Sequence, residues 1–282
     1  MGYPIEQSEV PQQRGLSSLV TQYSVGTQQE TKDFDLIARF YDLDYGDVEY
    51  DLLFYENFAR RCESPLLELG VGTGRVAISL AKAGFAVTGI DISSEMLVKA
   101  RAKLDQKTSE RVRLVQANIR QFQLGERFNM AFYPLRTFGH LTTTAEQIQS
   151  LECVKSHLAE DGLLLIDLHN PNLARLVESD RELTLAWVKP NATGEGKIAK
   201  FESFTVDPAR QLRQVTFFYD ETDSAGTTRR TIATFSVRYF FRYEVELLLE
   251  HCGFGVEALY GSYDLDAYGP DSEEMIFVAR KR

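Results

Sequence analysis

The chain has little cysteine, no surplus of positive charge and no long apolar run. Three cysteines in 282 residues, Cys62, Cys153 and Cys252, stand far apart without paired spacing. That excludes a disulfide framework and a C-x-x-C motif; they read as reduced thiols, and no metal site is expected. The formal net charge is −10, with 41 acidic against 31 basic residues. A chain so acidic does not grip phosphate backbones by bulk charge, so no nucleic-acid partner is expected. No apolar stretch reaches the ~20 residues that cross a bilayer. The N-terminus also lacks the basic-then-apolar order of a secretory signal. A cytoplasmic protein with no membrane partner is the expectation.

What is present is glycine at alternate positions. Leu66-Leu67-Glu68-Leu69 reads as a short buried strand after Pro65. Gly70, Gly72 and Gly74 follow, and Val76, Ile78, Leu80, Ala81 and Ala83 then fill a helix that stops at Gly84. Strand, glycine turn and helix start together make a nucleotide-binding device, because bare backbone and free N–H groups face the ligand. A dinucleotide fingerprint would need a third glycine where Arg75 stands. With no Tyr-x-x-x-Lys pair either, a nicotinamide oxidoreductase is disfavoured. Glu68, two residues before the first glycine, suits a cationic amino group better than a pyrophosphate. A second apolar strand, Phe85 to Ile90, ends at Asp91, a carboxylate placed to accept from both hydroxyls of a ribose.

Glu68-Leu69-Gly70-Val71-Gly72-Thr73-Gly74 and Asp91-Ile92-Ser93-Ser94-Glu95-Met96-Leu97 resemble the first two motifs of class I S-adenosylmethionine (SAM) dependent methyltransferases. The resemblance continues through Gln116-Ala117-Asn118-Ile119-Arg120-Gln121-Phe122 and Leu158-Ala159-Glu160-Asp161-Gly162. It implies an α/β fold: a Rossmann-like, seven-stranded, mostly parallel sheet with helices on both faces. It implies SAM as cofactor and S-adenosylhomocysteine as product, held by Tyr41, Glu68, Gly70, Gly72, Thr73, Gly74, Asp91, Ile92, Met96, Asn118, Ile119, Tyr133 and Leu135. Asn118 stands where that family usually has Asp, and its carbonyl oxygen can still accept from the adenine amino group. Met96 and Ile119 read equally as core residues or as apolar contacts to the purine, and Tyr41 as a packing aromatic or as part of a Tyr-Asp helix over the cofactor. Phe138-Gly139-His140-Leu141, after the fourth strand, resembles the Gly-His-Leu segment of small-molecule N-methyltransferases of the glycine and sugar type. His140 and Tyr41 are therefore the candidate catalytic residues, with His140 as base or acceptor-positioning group.

Residues 1–32, rich in Gln, Ser, Thr and Glu without period, read as a flexible tail. Residues 33–182 are expected to form the core with its N-terminal lid helices. Thr144-Ala145-Glu146-Gln147 reads as a capping box. Residues 183–241 contain three alternating segments, 197–206, 211–222 and 227–238, separated by Asp207-Pro208 and Asp223-Ser224-Ala225-Gly226. They predict an antiparallel insertion serving as an acceptor lid or as a homodimer interface. Residues 242–282 supply a helix and a hairpin that complete the sheet. The expected reaction is in-line methyl transfer to a small-molecule acceptor through an amine nitrogen. O- or C-methylation and a non-catalytic SAM-binding role are the alternatives.

Overall fold

A computed structural model describes residues 17–178, 180–191 and 194–282. The expected flexible tail lies outside the described residues up to position 16, but its second half does not. Helix α1 spans Ser17–Tyr45 and so begins well before Asp33, where order was expected. The cause is cooperativity. Ile37, Ala38 and Phe40 of α1 are buried, and a helix nucleated by that packing extends at little cost through good formers such as Gln28, Gln29 and Glu30. Helix α2 (Leu52–Cys62) follows.

The core then alternates strands and helices. These are β1 (Leu66–Leu69), α3 (Arg75–Lys82), β2 (Val87–Asp91), α4 (Ser94–Ala102), α5 (Gln106–Ser109), β3 (Val112–Gln116) and β4 (Phe128–Tyr133). A 3₁₀ turn, Thr137–His140, leads to α6 (Thr144–His157), β5 (Leu158–His169) and α7 (Leu173–Glu178). The capping box of α6 sits one residue earlier than expected. Thr143 accepts from the Glu146 N–H, and Glu146 accepts from the Thr143 N–H. Glu146 is the carboxylate three residues on from Thr143; the same place for Thr144 holds Gln147, which is buried and donates instead to the Leu141 carbonyl.

After an insertion, α8 (Arg242–His251), β10 (Phe254–Tyr260) and β11 (Glu274–Lys281) close the core. The sheet runs β10-β11-β5-β4-β1-β2-β3. The five strands from β5 to β3 are parallel, while β11 runs antiparallel to both β5 and β10. Alternate residues face opposite layers, as the two-residue period requires. Leu67, Leu69, Ala131 and Ile166 pack with Leu151 and Val154 of α6 and Val245 and Leu249 of α8. Leu66, Met130, Phe132 and Leu165 pack with Phe54, Phe58, Val76 and Leu80 of α2 and α3. The strand order reverses between β1 and β4, which leaves a crevice at their carboxyl ends.

The insertion is a separate antiparallel sheet of four strands, β6 (Leu183–Pro190), β7 (Lys197–Asp207), β8 (Leu212–Thr222) and β9 (Thr228–Arg238), in that order. Three of them match the expected segments, and β6 is an addition. It is an edge strand ending at a proline, with Leu183, Leu185 and Val188 exposed, so it lacks the inward-outward alternation of a half-buried strand. Helix α1 joins the two sheets. Its Ile37, Ala38 and Phe40 cluster with Met96 of α4 on one side and with Ile198, Tyr219 and Phe235 of the insertion on the other. Phe40 stacks on Tyr219 with ring centroids 4.2 Å apart.

Candidate active site

Beyond Leu69 the backbone turns through Gly70 and Gly72 at φ +74° and +53°, a region that glycine enters without cost. The turn is also crowded at Gly70, where a Cβ would lie 2.5 Å from Thr137 Cγ2, whereas one at Gly72 would meet the Tyr41 ring at an ordinary contact distance of 3.5 Å. The Gly72 N–H donates to Asp91 Oδ2 at 2.8 Å, and the Ser93 N–H donates to Asp91 Oδ1 at 2.9 Å. Asp91 is thereby fixed at the end of β2 beside the glycine turn. Burial raises its pKa to about 6 although the Ser93 and Gly72 N–H groups pull it down.

Glu68 lies at the end of β1, also buried. Desolvation raises its pKa well above the usual carboxylate range, and nearby Arg75 opposes that rise. Its Oε2 has no hydrogen-bond partner among the described residues. Arg75 replaces the third glycine of a dinucleotide fingerprint and serves as a strut. It donates to both oxygens of buried Asp51, at 2.5 and 2.6 Å, and to the Val48 carbonyl at 2.8 Å.

Helix α1 closes over this turn through side-chain latches. Thr73 donates to Asp42 at 2.6 Å, and Ser93 donates to Asp35 at 2.6 Å while capping α4. Tyr41 lies against Gly72; burial raises its phenol pKa, so the hydroxyl stays protonated. The structure thus gathers Tyr41, Glu68, Gly70, Gly72, Thr73, Gly74 and Asp91 into one cradle, with Ile92 at the turn after β2. Met96 is 1% exposed and packs beneath α1 as a core residue. Asn118 Oδ1 accepts from the Arg120 N–H at 2.9 Å, and Ile119 packs against the main core. The Tyr133 side chain turns away, fully buried with its hydroxyl 2.6 Å from Ser150 Oγ.

Past β4 the backbone is strained. Leu135 and Arg136 both adopt left-handed φ, +47° and +61°, which is uncommon for non-glycine residues. The Leu135 N–H donates to Asp167 Oδ2 at 3.0 Å, Tyr263 also donates to Asp167, and Arg136 donates to Glu274. Burial raises the Glu274 pKa to about 7, with Arg136 opposing. These residues border a cleft of about 1360 Å³ between the strand ends, the insertion and the segment 261–274, with Tyr50, Arg136, His169, Arg213, Arg238, Tyr263 and Glu274 among its lining. His140 sits beside it, between Phe34 of α1 and Phe235 of β9 at centroid distances of 5.1 and 6.2 Å. Burial, with Arg120 adding, pushes its pKa down to about 4, so the imidazole is neutral at pH 7. Desolvation, Arg136 and Arg213 do the same to His169. Asp35, Asp51 and Glu274 carry no local motif. Arg75, directly after the glycine triplet, was the readable signal of a strut, but its partner Asp51 was not.

The structure is an α/β fold with a glycine turn at the end of β1, flanked by the buried carboxylates of Glu68 and Asp91. Residues 66–162 match the family described as a methyltransferase domain. The dTDP-3-amino-3,6-dideoxy-alpha-D-glucopyranose N,N-dimethyltransferase of Streptomyces fradiae is 30% identical over 138 residues, covering 46% of this chain and 52% of that protein. The structure of the CcbJ methyltransferase from Streptomyces caelestis is similar with a TM-score of 0.75 at 24% identity, covering 89% of this chain and 98% of that one. SAM-bound CalS10, an amino pentose methyltransferase from Micromonospora echinaspora, gives 0.61 at 19% identity, covering 98% and 100%. Residues 66–162 thus carry a methyltransferase domain, and the fold of the chain is the Rossmann-like fold of these methyltransferase structures.

Proposed function

We propose that this chain transfers the methyl group of SAM to an amine nitrogen of a small molecule held in the cleft. The observation that carries the reading is where the cleft lies. It opens past the carboxyl ends of β4 and β5, next to the strained turn at Leu135 and Arg136, where open α/β sheets hold their ligands. The aminosugar dimethyltransferase relative supports nitrogen as the acceptor atom.

Bound in the cradle, SAM supplies a sulfonium methyl and a neutral leaving group, so no covalent nucleophile is needed. The chain's task is alignment, exclusion of water and removal of one proton. Asp91 accepts from the ribose, Glu68 Oε2 from the amino group, and Asn118 from the adenine. Ile92 and Ile119 give apolar support near the base. Tyr41 on α1 covers the cofactor, and the Leu135 turn borders its reactive end. His140, neutral at pH 7, orients the acceptor and is too weak a base to hold its proton there. Glu274, with a pKa raised to about 7, is the cleft carboxylate suited to proton uptake.

Incubation with labelled SAM and a library of small amines and alcohols, followed by mass spectrometry, tests the acceptor atom. N-methylated products are expected, and exclusively O- or C-methylated products would overturn the reading. His140→Ala should raise KM more than it lowers kcat, whereas Glu274→Gln should lower kcat and flatten its rise through pH 7. A kcat loss of ~10²-fold or more in His140→Ala with KM unchanged would return the base role to His140.

A further inference from the structure

The insertion brings into the cleft two arginines that have no counter-ion among the described residues. Arg213 of β8 is half-buried and lies 4.1 Å over the Phe204 ring. Its Nε is buried without a partner, and its side chain makes no hydrogen bond or ion pair with another described residue. Glu202, the acidic group that acts on it electrostatically, is itself paired to Lys200 at 2.7 Å. Arg238, at the end of β9, lies 5.6 Å over the Phe240 ring and donates to the Thr142 carbonyl and Gln211 Oε1, both at 3.4 Å, and its Nε is also buried and unpartnered. Arg136 in the same cleft differs, because Glu274 and Asp167 answer its charge.

A partly desolvated guanidinium without an anion costs free energy, and two of them line this cleft in a chain whose formal charge is −10. The facing segment does not relieve them. Asp264, Asp266, Asp271 and Glu273 line the cleft, yet no ion pair joins any of them to Arg213 or Arg238 among the described residues. A planar guanidinium fork matches the paired oxygens of a carboxylate or a phosphate. We propose that Arg213 and Arg238 form a receptor for an anionic group, carboxylate or phosphate, carried by the methyl acceptor away from its amine. The inference rests on the reading of this cleft as the acceptor site. It makes the insertion the element that selects the acceptor.

The test uses the full chain and two anion probes, inorganic pyrophosphate and glutarate, titrated by calorimetry. At least one should bind the unaltered protein, and Arg213→Gln and Arg238→Gln should each weaken that probe tenfold or more. Arg213→Lys, which keeps the charge without the fork, should recover part of the loss. SAM affinity in the same variants should stay within twofold, which also shows that they fold. Tighter pyrophosphate binding assigns a phosphate-bearing acceptor, and tighter glutarate binding assigns a carboxylate-bearing one. If neither anion binds the unaltered chain, or if both glutamine variants bind like it, the receptor is overturned. Failure of SAM to bind while an anion still does would overturn the methyl-transfer reading and leave the anion site standing.

Discussion

Asp91 is buried at the carboxyl end of β2 and held by two backbone N–H groups, and the proposed function has it accept from the ribose. Replacing it with alanine removes charged hydrogen bonds to the cofactor and should weaken SAM binding by about 1.5–3 kcal/mol in calorimetry. Its raised pKa also gives a pH signature. Well below pH 3.9, the unfolded value, the carboxyl is protonated in both states. As pH rises past that value the unfolded chain releases its proton first, so native stability falls, and the full cost is present above about 6. SAM binding runs the other way, since the ionised form accepts the ribose hydroxyls better. Affinity should therefore drop as pH falls through about 6, and Asp91→Asn should show neither trend. The glycine positions, Glu68 and Asp91 were legible in the sequence because one turn and two strand ends carry them. Arg136, Arg213 and Arg238 were not, since they come from three distant segments that only the fold unites.

At the scale of elements, the Arg75–Asp51 pair ties the start of α3 to the N-terminus of α2. Asp51 is fully buried and the Arg75 side chain is 10% exposed, so Asp51→Ala strands a buried charge. That should cost about 3–5 kcal/mol in chemical denaturation, and a loss under ~1 kcal/mol would show the pair to be dispensable. The alternation of apolar strands and helices made the core elements readable, and the three long insertion strands were readable from their two-residue period. Edge strand β6 escaped because its side chains are mostly exposed. The start of α1 escaped because it depends on cooperative extension from Ile37 and Phe40 rather than on a local pattern. The α6 cap shifted by one residue because two neighbouring threonines compete and only Thr143 has a glutamate at the matching position.

At the scale of the molecule, α1 couples the insertion to the cofactor turn. Its Asp35 and Asp42 hold Ser93 and Thr73, while its Phe40 stacks on Tyr219. Hydrogen exchange should therefore slow on adding SAM both in residues 33–45 and in β9; protection confined to β1 and β2 would mean that the coupling is absent. The central claim is that the glycine turn with Glu68 and Asp91 binds SAM. Isothermal titration of the full chain with SAM, S-adenosylhomocysteine and NAD tests it most directly. Saturable binding of SAM and S-adenosylhomocysteine with no response to NAD is the expected result, and binding of NAD with no response to SAM would contradict it.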